Sequence, residues 1–325
     1  MELYQNYLSY IPDDIYKLLI DNNILDGLKF PGNGVDLISN KKLINLVKKI
    51  GCTVDNHGFK GITGRLHDPN YLSDKLELDQ TLSEYLSLPG AGSVYSGHLG
   101  ALRTQNLSKE ELNKILKNNI KAIRSLIHQV NPNIETKVYG EGIFPPIFTL
   151  ETTSPEFLNE CASLDGMDGL VFDLCHSAIT AVYIQNKKDP SYNLNHFLDD
   201  LNCDKVGIVH LSGGYKTPSN CGPFENDDIV DPHTPCNLDD FRRLFSTLER
   251  CPNVFRLSNE IAYVCLDRSV DVSIKLYIIE ALLTRIAVQT RDMKALCDAM
   301  DYLFSTSFDN TGEVVQTVKR RYLTK

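Results

Sequence analysis

The chain lacks most of the features that would place it quickly in a functional class. None of its nine cysteines stands in a C-x-x-C pair, so zinc-ribbon spacing is missing. The cysteine count is odd, the length is 325 residues, and MELYQNYLSYIPDD does not read as a signal peptide. A disulfide framework is therefore not expected. Cys52, Cys175 and Cys265 lie in apolar or strand-like runs and read as packing residues. No run approaches the roughly 18 consecutive apolar residues of a membrane span, so no membrane partner is expected. Positive charge is in deficit, with 33 Lys+Arg against 42 Asp+Glu and a formal charge of −9. That balance disfavours a surface that neutralises nucleic-acid phosphates. The cytoplasm is the expected compartment. A Gly-rich dinucleotide turn is absent too, and so is Trp, from which nothing follows.

What is present is an alternation of short β-rich runs with amphipathic helical stretches. Strands are expected at ILDGLKF, TVDNHGF, GSVYSGHLG, PIFTLE, GLVFDL, KVGIVHL and NVFRLSNE. Helices are expected between them. One covers Asn40–Ile50, and a strong one runs over LSKEELNKILKNNIKAIRSLIHQV with Ser108 as N-cap and Glu111 completing a capping box. About eight β-then-α units predict a parallel sheet with right-handed crossovers, and most simply a TIM-type (β/α)8 barrel, which needs ~250 residues. Strand signals stop near Asp267. The reading is an α/β chain with a metal-binding barrel over 1–266 and a C-terminal helical extension over 267–325.

Polar residues fall where a barrel would gather them. His57, His98 and His210 sit in or at the end of apolar runs, as do Glu151, Asp173 and Glu260. Asp173 and His176 form D-x-x-H, and Asp231 and His233 form D-x-H. Taken singly, a histidine at a strand end is usually a satisfied core or surface residue, and Asp173 could simply cap the following helix. Together they are harder to dismiss, because C-terminal strand ends of a parallel barrel converge on one face. Several buried charges there need compensation, and a metal ion is the simplest. Nine candidates without thiolate suit Fe, Mn or Zn, and exceed what one ion takes, so two or three metals are expected. His67, His128 and His196 are expected to be structural.

These residues resemble the multinuclear non-heme iron-dependent oxidative enzymes (the MNIO family) that modify ribosomally made peptides. The resemblance runs in order through NHG at Asn56–Gly58, S-x-H-L at Ser96–Leu99 and L-E-x-x-S at Leu150–Ser154. It continues through FDLCHS at Phe172–Ser177, VHLSG at Val209–Gly213, DPHTP at Asp231–Pro235 and the Glu260 strand end. It implies two or three irons in mixed Fe(II)/Fe(III) states, with His57, His98 and Glu151 on one iron and Glu151 bridging to a second. Asp173, His176, His210, Asp231, His233 and Glu260 complete the ligand set. It further implies an O2-dependent oxidation at a cysteine-containing peptide, with a partner protein for substrate recognition left open. Three positions depart from the family pattern: Lys29 or a neighbour where a Glu is usual, Gly97, and Thr152.

Two other classes compete. One is a divalent-metal barrel, either a zinc phosphodiesterase or a sugar isomerase; an isomerase needs a basic lysine near the metals, which the sequence does not place. The other is a non-catalytic peptide-binding scaffold.

Overall fold

A computed structural model describes residues 1–30, 37–57, 66, 68, 80–101, 105, 107–145, 148–213, 235–261 and 270–324. Eight parallel strands follow one another around a closed barrel: β1 (Glu2–Asn6), β2 (Gly27–Phe30), β3 (Thr53–His57), β4 (Val94–Leu99), β5 (Lys137–Gly142), β6 (Gly169–Asp173), β7 (Val206–Leu211) and β8 (Arg256–Asn259). β8 pairs back onto β1, with Tyr4 level with Ser258. The chain therefore has the TIM-type barrel expected from its β-then-α order. Two strand expectations change. β1 precedes the run taken as the first strand. The described residues of PIFTLE, 148–151, supply no barrel strand: Leu150–Thr152 forms a short 3-10 turn, and the fifth strand is KVYGEG.

The helices form where capping and apolar spacing agree. α4 (Lys109–Val130) starts at Ser108, whose hydroxyl accepts from Glu111 N while Glu111 reaches back to Ser108 N. Its buried stripe of Leu112, Leu116, Ile120, Ile123 and Ile127 packs on the barrel wall. α8 (Leu238–Arg250) repeats the pattern with Asn237 as cap and Phe241, Leu244 and Leu248 buried.

The C-terminal segment is not a separate body. α9 (Val270–Thr290) follows β8 and stands where the eighth barrel helix belongs. Gln5 Nε2 donates to Tyr277 O at 3.0 Å, Tyr277 Oη donates to Asn6 O at 2.8 Å, and the Tyr277 ring meets Tyr16 edge-on. Arg285 clamps Ile24 O and Asp26. A boundary at 266/267 thus separates β8 from its own covering helix. After α9 the chain adds α10 (Met293–Ser305) and α11 (Thr311–Val318), which bury Leu296, Ala299, Leu303, Val314, Val315 and Val318. Among the described residues no helix is long and apolar enough to cross a membrane.

Alternate residues of each strand fill the barrel interior, giving it layers. The lowest is apolar: Val94, Tyr139, Val171 and Ile208, with Phe255 against them. Above it lies a buried ion pair. Arg256 Nη1 donates to Asp55 Oδ1 at 2.6 Å, Ser258 Oγ donates to Asp55 Oδ2 at 2.6 Å, and Arg256 lies 4.4 Å over the Tyr4 ring. Burial alone would raise the Asp55 pKa, but Arg256 and then Lys29 hold it below the usual carboxylate value.

Two stability predictions follow from this packing. Asp55→Ala leaves Arg256 buried with only Glu2 as ionic partner, and is expected to cost about 3–5 kcal/mol in denaturant unfolding. A loss below about 1 kcal/mol, as for a surface pair, would show that the layer contributes nothing special. The second concerns Glu280 on α9, which accepts from Cys236 N at 3.2 Å and from Asn259 Nδ2 at 3.1 Å. Burial pushes its pKa from 4.5 up to about 7. The native state therefore keeps this proton between those two values while the unfolded chain loses it. Stability present at low pH is lost as pH rises through about 7, by roughly 3 kcal/mol. Glu280→Gln is expected to leave the urea midpoint nearly unchanged at pH 5 and to raise it at pH 8; equal shifts at both would refute the titration.

Candidate metal centre

The top interior layer is built from strand ends. His57 closes β3, His98 lies near the end of β4, Glu141 on β5 is level with it, and Asp173 of β6 is level with His210 of β7. Glu260 follows β8, anchored by its N–H to Leu211 O at 2.8 Å. His176 enters from α6 (Leu174–Lys187), whose N-cap is Asp173; Oδ1 of that residue accepts from His176 N at 2.6 Å. The capping reading of Asp173 is thus correct as well, since one carboxylate starts the helix and belongs to the cluster.

His57 is held in a defined tautomer. Ser96 Oγ donates its single hydrogen to Asn56 O at 3.2 Å, so at 2.9 Å it accepts from His57 Nδ1. The Nε2 lone pair is left facing His98 Nε2 at 3.2 Å and Glu141 Oε2 at 3.4 Å. His98 Nε2 lies 3.6 Å from the same oxygen, closing a triangle. For a tetrahedral ion with ligand bonds of about 2.0–2.1 Å, ligand atoms stand about 3.4 Å apart. The triangle therefore has the dimensions of one face of a coordination shell. A metal-binding histidine usually has its other ring N–H fixed by a hydrogen-bond acceptor, the place Ser96 Oγ takes here.

Glu141 is the hub. It is fully buried, and neither oxygen receives a well-formed hydrogen bond. Four imidazoles surround it instead, those of His57, His98, His176 and His210, at 3.1–3.6 Å. Desolvation opposes its ionisation, yet the surrounding imidazoles, His210 above all, hold its pKa well below the usual carboxylate range. Burial and the Lys29 charge push His57 the other way, well below an ordinary imidazole, so it remains neutral. Glu141 also joins Asp173, His210 and Glu260 in a second group whose ligand atoms lie within 4.8 Å of one another.

That second group already holds a cation. Lys29 on β2 is 1% exposed; its Nζ donates to His210 Nε2 at 2.8 Å and to Glu260 Oε1. His210 then presents Nδ1 to Glu141 Oε1 at 3.1 Å and Glu260 Oε1 at 3.3 Å. Burial works against a charged ring, but the two carboxylates prevail and raise the His210 pKa.

Of the nine candidates from the sequence, His57, His98, Asp173, His176, His210 and Glu260 gather around Glu141. Asp231 and His233 lie outside the described residues. Glu151 does not join them. It is exposed on the turn after β5 and lines a separate surface cavity with Lys109, Thr149 and Glu160. The carboxylate at the centre of the cluster is Glu141 instead. His128 and His196 stand apart from the centre, on α4 and on α7 (Leu194–Asp200). Lys29, Ser96 and Glu141 are the additions. The signal for Glu141 was the alternation in KVYGEG, obscured by two glycines. Those glycines answer to neighbours: a Cβ on Gly140 would stand 2.4 Å from Leu99 Cδ1, and one on Gly142 3.1 Å from Leu158.

No protein-family model and no curated protein sequence matches the chain. Solved structures do. The IOLI protein, crystallised with a binding zinc atom, is 14% identical with a TM-score of 0.55, over 89% of this chain and 99% of that one. A D-tagatose 3-epimerase-like protein is 16% identical with a TM-score of 0.49, over 89% and 98%. The 3-keto-D-glucoside 4-epimerase YcjR from E. coli is 15% identical with a TM-score of 0.46, over 94% and 100%. Such identities establish the shared barrel. The expectation of an O2-dependent, multi-iron oxidation of a cysteine-containing peptide is corrected accordingly. A lysine stands inside the second ligand group, and the carboxylate expected to bridge two irons lies outside the site.

Proposed function

We propose that the chain is a divalent-metal-dependent isomerase or epimerase acting on a small, hydroxylated carbonyl compound of the sugar type. The observation that carries this reading is the buried triangle of His57 Nε2, His98 Nε2 and Glu141 Oε2, sized for one transition-metal ion. The donor set of two imidazoles and a carboxylate suits zinc or a similar ion. The zinc atom in the IOLI structure supports the choice. The basic lysine that isomerase chemistry needs, missing from the sequence reading, is Lys29.

When bound, the ion would polarise the carbonyl and hydroxyl oxygens of the substrate as a Lewis acid. The remaining work falls to the chain's own groups. Glu260 has the larger exposure of the two glutamates, 5% against 0% for Glu141, and stands at the end of β8. With Oε1 held by Lys29, it is placed to take a proton at Oε2 from the carbon beside the carbonyl and return it to the neighbouring carbon. Lys29 Nζ orients that carboxylate and faces the negative charge that develops as the proton leaves. Ser96 keeps His57 in the tautomer that offers Nε2 inward.

The assignment is tested by metal content and by exchange. Glu141→Ala is expected to lose bound zinc or manganese, while Glu151→Ala retains it; the reverse result would restore the sequence-based assignment. The metal-loaded protein should incorporate deuterium from D2O at a C–H beside the carbonyl in a panel of ketoses, aldoses and cyclic keto-polyols. Glu260→Gln should slow that exchange at least ~100-fold with metal retained. Hydrolysis of a phosphodiester without any such exchange would overturn the isomerase reading.

A further inference from the structure

Lys29 has a consequence for the number of metals, and this inference rests on the divalent-metal reading above. Among the described residues the centre buries three carboxylates, Glu141, Asp173 and Glu260, and one lysine. Asp55, one layer lower, is already matched by Arg256. The Lys29 ammonium already supplies a positive charge to this group, through His210 and Glu260. A divalent ion in the second group would stand against that buried ammonium where water does not screen the repulsion, which is strongly unfavourable. The obstacle is also one of electron pairs. Nζ is bonded to His210 Nε2 and to Glu260 Oε1, so two of the four members of the second group are engaged by Lys29.

We propose that Lys29 is a built-in cation standing in place of a second metal ion, so that a site with ligands enough for two ions holds one. Its stem enters from β2, level with Asp55 of β3, and the side chain is only 1% exposed, so the charge cannot swing out to make room. A fixed ammonium also differs from an ion in use. It donates hydrogen bonds and carries a proton, but offers no open coordination position to a substrate oxygen.

The test is metal stoichiometry on the full chain, using zinc and manganese supplied in excess, removal of loose ion by gel filtration, and elemental analysis. Wild type is expected to retain one equivalent. Lys29→Glu, which replaces the cation by a further carboxylate, is expected to retain two, and its manganese form to show the spin-coupled paramagnetic resonance signal of a pair. Lys29→Met, of similar length and uncharged, is the second variant, expected to take up a weaker second equivalent in a titration. Two equivalents in wild type would overturn the proposal while leaving the metal enzyme intact, and so would folded variants that stay at one. No equivalent in wild type would instead sink the divalent-metal reading itself. Should neither variant fold, the wild-type count still decides, one equivalent supporting the proposal and two overturning it.

Discussion

The interior of this barrel is organised by the cost of burying carboxylates. Asp55, Glu141, Asp173 and Glu260 are each at most 5% exposed, in a space lined elsewhere by Val94, Tyr139, Val171 and Ile208. An isolated carboxylate in such a place would be protonated or expelled. The lower layer meets the demand entirely with protein: Asp55 receives Arg256, Ser258 and a backbone N–H, and both oxygens are occupied. The upper layer meets it partly. Glu141 has four imidazoles around it and no well-formed hydrogen bond. One layer is therefore complete without any ligand, while in the other both oxygens of Glu141 lack a formed hydrogen bond among the described residues. That contrast, rather than the abundance of histidines, separates a structural ion pair from a candidate metal centre.

The same contrast explains how much was legible in the sequence. The β-then-α order and the capping box at Ser108 are local patterns, and both appear as read. Histidines and acids at strand ends were legible because strand period and barrel convergence are general rules. The fifth strand lies in KVYGEG, whose two glycines weaken its strand signal. Their reason is tertiary: the Leu99 and Leu158 side chains fill the space a Cβ would need. Placing the strand nine residues later, at PIFTLE, exchanged Glu141 for Glu151. PIFTLE looked the better strand from its own composition, and only the barrel register decides between them.

Lys29 shows the other limit. In the sequence it stands as a lone cation in the short run GLKF, with nothing nearby to suggest a partner. Its partners lie 181 and 231 positions away, at His210 and Glu260. No spacing rule reaches that far. What brings them together is closure of the sheet, in which β8 pairs with both β7 and β1 and so places Glu260 between the ends of β7 and β2. The lysine is intelligible only as part of a ring, and a reading in linear order meets it as an exception.

Closure in turn depends on α9. β1 is level with β8, and the helix that follows β8 ties itself to β1 through Gln5 and Tyr277 and to the segment before β2 through Arg285. Asn259, the residue before Glu260, is held from the same helix by Glu280 and Thr284. The position of the carboxylate that Lys29 engages is thus set from outside the barrel by a helix whose own polar groups are buried. A helix apolar on more than one face reads as an appendage seeking a partner. Here the partner is the seam of the barrel, and the polar residues on that helix fix the end of the last strand. The geometry of the candidate site and fold closure consequently share residues at this seam, so a change in α9 alters the site without touching any group in it.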